Sequence, residues 1–283
     1  MSRNLAARIG VAVVTIPIIL WICYQGGGWL FGMLMLAASG AIIEFLVNEK
    51  SPPRSGFFWL GIITVASTFW LATGFAQPRA FLAGRAEILG HEGTPILLFF
   101  VITAVLLGIG KQSPADLFRR HSRLLWGVAY IGLLYPFVYK VGEGFGSIAG
   151  GDCLLFLFGL LWIGDTAAMG IGSWLGRHKL APTVSPNKTV EGFIGGLLGA
   201  VAVGLLMHFW RLPQIGLGHI LAIALGCSLF GQLGDLVESM WKRSLGIKDS
   251  SRVIPGHGGV LDRFDSLLFA APFMYFYLRT LTV

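Results

Sequence analysis

Between Asp235 and Asp265 the chain places Asp235, Glu238, Asp249, Asp262 and Asp265 among Lys242, Arg243, Lys248, Arg252 and Arg263, directly after a long apolar run. Asp235, Glu238 and Ser239 stand at i, i+3 and i+4, so a helix would present them on one face. Asp262 and Asp265 share a face if the last helix starts near them, and Gly258-Gly259 lets backbone approach phosphate oxygens closely. Together with Asp235 these acids compose a three-carboxylate set for a hard cation. Mg²⁺ is the expected one, since it takes oxygen ligands and binds through one or two carboxylates plus water and substrate phosphate. His257 has no second His or Cys near it to suggest zinc, so phosphate contact or loop ordering is its expected role. An interhelical salt bridge is the plainer alternative for the acids.

The elements that must hold these groups are read from hydropathy. Of 283 residues, 55% are hydrophobic and 12% charged, which excludes a disordered chain and argues against an ordinary soluble domain. About nine apolar stretches of near-spanning length recur, at 8 to 24, 28 to 47, 57 to 76, 94 to 110, 124 to 141, 153 to 174, 192 to 210, 215 to 238 and 266 to 282. They are continuously apolar rather than alternating, so the expected fold class is all-α, a polytopic integral membrane helical bundle. The segment 76 to 93 reads as an interfacial turn. Residues 1 to 150 are expected to form N-terminal spans without a recognisable motif, and residues 151 to 283 a catalytic region with two motif loops.

Charge sorts the loops. With the N-terminus on the cytoplasmic side, 16 of the 21 Lys and Arg fall in inside loops and five outside, as the positive-inside rule requires. The net charge of +7 is thus distributed among membrane-flanking loops, not gathered into a stripe for nucleic acid. Cys23, Cys153 and Cys227 lie far apart within apolar runs and read as buried small hydrophobes. The run from Ile9 to Tyr24 is read as a retained helix instead of a cleaved leader, because no small-x-small site follows it directly. Gly192, Gly195, Gly196, Gly199 and Gly204 make one side of the seventh span almost bare backbone, suited to close helix packing.

A second polar loop, 175 to 191, shares the inside face. Asp165 precedes it within the sixth span, and Ser185-Pro186-Asn187-Lys188-Thr189 offers hydroxyls, an amide and an ammonium to phosphate oxygens. Ser185 or Thr189 would equally serve as a helix cap.

The stretch Ser239 to Asp265 resembles the signature S-x-x-K-R-x4-K-D-x-S-x3-P-x-H-G-G-x-x-D-R-x-D of the phosphatidate cytidylyltransferases, matched by Ser239, Lys242, Arg243, Lys248, Asp249, Ser251, Pro255, His257, Gly258, Gly259, Asp262, Arg263 and Asp265. Trp241 departs from it, standing where an aliphatic residue, Met or Phe is usual. Residues 176 to 192 resemble a second region of that family, G-R-x-K-L-A-P-x-x-S-P-N-K-T-x-E-G. The resemblance implies transfer of CMP from CTP to phosphatidic acid, giving CDP-diacylglycerol and pyrophosphate for phospholipid synthesis.

On that reading Asp235, Asp262 and Asp265 hold metal, with Asp165 left open as a further ligand, and Lys188 joins them as a catalytic group. Arg177, Lys179, Ser185, Asn187, Thr189, Ser239, Lys242, Arg243, Lys248, His257, Gly258, Gly259 and Arg263 are the expected substrate contacts. The expected cofactor is Mg²⁺, with a second monovalent or divalent cation left open. Expected partners are CTP, phosphatidic acid and membrane lipids, with a homodimer left open and no nucleic acid. The expected location is the cytoplasmic (inner) membrane with the site facing the cytoplasm. Two rivals are weighed. A secondary transporter would use Asp165, Asp235 and Glu238 for an ion but lacks matched broken helices. A CTP-dependent polyprenol or phytol kinase would move a different phosphoryl group.

Overall fold

Backbone amides inside lipid must be satisfied within their own segment, so continuous apolar runs fold as helices. The computed structural model describes residues 3–75, 113–254 and 258–282. Along these run α1 (Arg3–Gln25), α2 (Gly27–Asn48), α3 (Gly56–Thr73), α4 (Pro114–Gly127), a π-helical segment (Val128–Gly132) and α5 (Tyr135–Gly142). After them come α6 (Gly150–Leu175), a hairpin of β1 (Lys179–Ala181) and β2 (Ser185–Thr189), α7 (Val190–Trp210), α8 (Leu217–Ser244) and α9 (Leu261–Thr282). The expected span at 94 to 110, the segment 76 to 93 and His257 lie outside the described residues.

Six of the described helical stretches are long and apolar enough to cross a membrane: α2, α3, Pro114–Gly142, α6, α7 and α8. Their outward faces are apolar, with Leu36 75%, Phe209 77% and Trp174 83% exposed, the pattern of a surface solvated by acyl chains rather than water. The protein is a polytopic membrane helical bundle. One buried core runs through both halves of the chain, with Leu34, Ala38, Ile42 and Phe45 of α2 at its centre beside Leu154, Leu157, Cys227 and Leu268. All three cysteines are free and buried.

Several boundaries differ from those expected. The span at 124 to 141 begins instead at Pro114, where the Ser113 hydroxyl accepts from Asp116 N and caps a helix whose charged first turns hide it from a hydropathy reading. The span at 215 to 238 continues to Ser244, carrying Glu238 and Lys242 one turn apart beyond its apolar part. The loop 175 to 191 contains an antiparallel hairpin, Lys179 opposite Thr189 and Ala181 opposite Ser185 with an irregularity between the pairs. The glycine stripe of α7 serves packing: a Cβ at Gly195 would meet Ile171 of α6 at 2.8 Å, and one at Gly199 would meet Ala167 at 2.8 Å.

Contacts sort the described loops onto two ends of the bundle. At one end Arg123 pairs with Glu49, Lys188 with Asp235, and Arg243 donates to the Val184 carbonyl. At the other, Asp152 accepts from Tyr24 and pairs with Arg211, and His219 meets Tyr277.

Candidate active site

The hairpin and α8 meet over a cavity of about 460 Å³ lined by Asp165, Asn187, Lys188, Thr189, Gln232 and Asp235, with apolar walls from Met169, Leu180 and Phe193. That volume falls in the range of small-molecule sites, roughly 300 to 1,000 Å³. Its central contact is an ion pair, Lys188 Nζ to Asp235 Oδ2 at 2.7 Å, both side chains partly exposed to the cavity. Asp235 Oδ1 accepts from Ser239 Oγ at 3.1 Å, one turn along α8. Asp165 reaches the same space from α6.

Local sequence explains how the hairpin is held against the helices. Thr189 is buried, and its hydroxyl accepts from Gly192 N at 3.1 Å, capping α7, so the capping role weighed for this residue is the one observed. Glu191, in the first turn, accepts from the backbone N of Arg177 and His178 and pairs with His178 Nδ1 at 2.7 Å. Lys179 Nζ donates to the Pro186 carbonyl at 2.7 Å across the hairpin. Arg243 ties the turn to the loop after α8, donating to the Val184 carbonyl at 3.2 Å and the Ile247 carbonyl at 2.9 Å. Ser185 sits on β2 opposite Ala181, Asn187 faces the cavity, and the Arg177, Lys248 and Arg263 side chains are exposed.

Next to the cavity, toward α2, lies a buried polar knot. Asp262, at the start of α9, accepts from Lys242 Nζ at 2.7 Å on Oδ1. Its Oδ2 accepts from Ser250 N at 2.9 Å, Ser250 Oγ at 3.0 Å and Gly259 N at 2.8 Å. Lys242 also pairs with Glu238, which has no exposed surface. Gly258 has φ +82°, and a Cβ there would come within 2.7 Å of Asp262 Oδ2, so only glycine brings the loop this close.

The expected set Asp235, Asp262 and Asp265 is not drawn into one cluster. Among the described residues no three His, Cys, Asp or Glu side chains converge to hold a metal ion. Asp262 instead accepts from Lys242 Nζ, Ser250 N and Gly259 N, and the one proton of the Ser250 hydroxyl is shared between it and Glu44. Asp265 lies between the two regions, close enough to Asp235 and Asp165 for their charges to interact, while its Oδ1 accepts from Ser266 N at 2.6 Å. A bare Gly234 permits that approach, for a Cβ there would sit 2.5 Å from the Asp265 carbonyl. The carboxylates that share the open cavity are Asp165 and Asp235.

The sequence reading assigned no site residue to the first half of the chain, and the structure supplies one. Glu44 of α2, 6% exposed, accepts from Ser251 Oγ at 2.6 Å and Val260 N at 2.8 Å on Oε1, and from Ser250 Oγ at 2.8 Å and Leu261 N at 3.0 Å on Oε2. Neighbouring Asn48 donates to the Ser250 carbonyl at 2.7 Å. Two hundred residues from the segment it orders, Glu44 still carried a signal. It is the one charged residue in an otherwise apolar helix, and a carboxylate so placed is functional by default. Glu49, the residue that follows α2, accepts from Trp241 Nε1 at 3.0 Å. The Trp241 ring stacks on Phe45 with centroids 5.0 Å apart, so the residue that departs from the family pattern has a built partner.

Known proteins place this arrangement. The sequence model described as the cytidylyltransferase family matches residues 6–281. A phosphatidate cytidylyltransferase of Staphylococcus epidermidis is 39% identical over 189 residues, covering 66% of this chain and 69% of that protein. One of Staphylococcus aureus is 46% identical over 177 residues, 62% of this chain and 64% of the relative. One of Staphylococcus saprophyticus is 47% identical over 151 residues, 53% and 56% respectively.

Proposed function

The chain belongs to the cytidylyltransferase family, and we propose that within it this protein transfers CMP from CTP to phosphatidate, releasing pyrophosphate and leaving CDP-diacylglycerol in the membrane. The observation that carries this reading is the Lys188–Asp235 pair, which closes the hairpin motif and the carboxylate motif around one cavity at the edge of the helical bundle. A nucleotide triphosphate and a lipid phosphate are both anions, and a reaction joining them needs charge neutralisation and alignment more than proton transfer.

In the proposed step a phosphatidate oxygen, already ionised, attacks the α-phosphorus of CTP. The new P–O bond forms as the bond to the β-phosphate oxygen breaks, and pyrophosphate carries away the electron pair. No general base is required. Lys188 supplies positive charge at the cavity wall, and the Asn187 amide offers donors to phosphate or base. Arg263 and Lys248, exposed beside the knot, extend that positive rim. Lys242 acts differently, because Glu238 and Asp262 already hold it, and its role is to fix the start of α9. The polyprenol or phytol kinase alternative differs in the bond broken, so the position of label in CTP separates the two.

Mg²⁺ is the proposed cofactor. Asp165 and Asp235 fit it: two carboxylates line one open cavity, where Lys188 now balances Asp235, and two such ligands leave positions for water and phosphate, the habit of this ion. When bound it would neutralise phosphate charge and stabilise the departing pyrophosphate. Asp235 and Asp165 would hold the ion, beside an apolar wall of Met169, Leu180 and Phe193. The finer placement also belongs to this reading: the cytoplasmic membrane, with the loop-rich end facing the cytoplasm.

The test is phosphatidate-dependent release of pyrophosphate from CTP by the purified protein with Mg²⁺. Release that does not depend on added phosphatidate would reject the acceptor.

A further inference from the structure

A cavity of about 290 Å³ lies between the end of α2 and the first turns of α4, lined by Lys50, Arg119, Arg120 and Arg123 with Glu49 and Asp116. It shares no lining residue with the active-site cavity. We propose that it is a second anion site, which takes the phosphate of an anionic glycerophospholipid headgroup.

Four cations face two carboxylates here, and both carboxylates are already engaged. Glu49 pairs with Arg123 at 3.1 Å and accepts from Trp241, while Asp116 accepts from the Ser113 hydroxyl at 2.7 Å in the cap of α4. Arg120 lies over the Phe57 ring at 4.4 Å, which fixes its guanidinium without neutralising it. Among the described residues Arg119 and Lys50 have no ion-pair partner, and Lys50 is held at φ 55°, the one non-glycine residue there with positive φ. A strained backbone that presents an unpaired ammonium to a cavity beside an unpaired guanidinium is a built arrangement for a phosphate oxygen.

The choice of a lipid phosphate over a free one follows from the surroundings. On the face of α4 opposite Arg119, Arg120 and Arg123, Phe118 is 76% exposed and Leu125 43% exposed, an amphipathic division that sets this helix where headgroups meet acyl chains. The cavity is at the same end of the bundle as the basic loops, where anionic headgroups of the facing leaflet gather.

The experiment measures binding to the full-length purified protein by native mass spectrometry, titrating phosphatidylglycerol against phosphatidylcholine, with inorganic phosphate as the free-anion competitor. Wild type should retain phosphatidylglycerol in preference to phosphatidylcholine, and millimolar phosphate should not displace it. The double variant K50Q/R119Q should bind phosphatidylglycerol roughly thirtyfold more weakly while its melting temperature is unchanged. Should the double variant fail to fold, R119Q alone decides, with about fivefold weakening expected. Equal retention by wild type and variant overturns the site. Complete displacement by inorganic phosphate overturns the lipid as its ligand.

Discussion

Glu44→Gln changes one atom of a side chain that touches no substrate, yet it should strongly reduce turnover. Each Glu44 oxygen accepts two donors, one hydroxyl and one backbone N–H, so converting either oxygen to an amide NH₂ sets donors against donors. The backbone N–H that faces the new NH₂ then loses its acceptor, while the serine hydroxyl can turn to accept, at a cost of about 1 to 3 kcal/mol. Even the lower figure shifts the ordered population of residues 250–254 and 258–261 by about fivefold. Because that segment carries the donors that fix Asp262 and the start of α9, the loss should appear mainly in kcat, with a smaller change in KM for CTP. Glu44→Asp should not rescue it, since the shorter side chain withdraws both oxygens. Ser251 and Glu44 are hydrogen-bonded to each other, so adding Ser251→Ala to Glu44→Gln should lose less than the sum of the single losses. Steady-state CMP transfer in detergent with a parallel melting curve provides the assay. Turnover within twofold of wild type, with an unchanged melting temperature, would refute the positioning role.

Other substitutions divide the site in two. Asp235→Asn should abolish transfer with little change in melting temperature, because that carboxylate faces a cavity. Asp262→Asn should lower both, since it takes one of two carboxylates from the partly buried Lys242 and sets an amide against the Ser250 and Gly259 N–H groups, a loss of about 1 to 3 kcal/mol; indistinguishable melting curves for the two variants would contradict the division. Trp241→Phe should keep its stacking on Phe45 and lose one hydrogen bond to Glu49, about 1 kcal/mol of stability with activity retained, read by a shift in melting temperature. Excess chelator should stop turnover and added Mg²⁺ restore it, whereas turnover undiminished by chelator would remove the metal from the mechanism.

The spans were legible because lipid admits few backbone solutions, so continuous apolar runs identify helices and basic residues sort their ends. What hydropathy could not see was helix continuing through polar sequence. The charged start of α4 at Pro114 and the end of α8 at Ser244 are both stabilised by local hydrogen bonds and ion pairs, not by apolar character. In the site, spacing correctly put Asp235 and Ser239 on one face, and the hairpin loop carries the Lys188 that meets them. Spacing along a helix could not show the Ser250 and Gly259 amides that fold back onto Asp262. Glu44 escaped for a related reason: its partners lie more than two hundred positions away, and only the lone charge in α2 hinted at them.

The most direct measurement is to give the purified protein phosphatidate, Mg²⁺ and CTP labelled at either the α- or the γ-phosphate, and to count label in the extracted lipid. Cytidylyl transfer predicts that the α-label enters the lipid and the γ-label remains in water as pyrophosphate. Lipid labelled from the γ-position, or from neither, would contradict it.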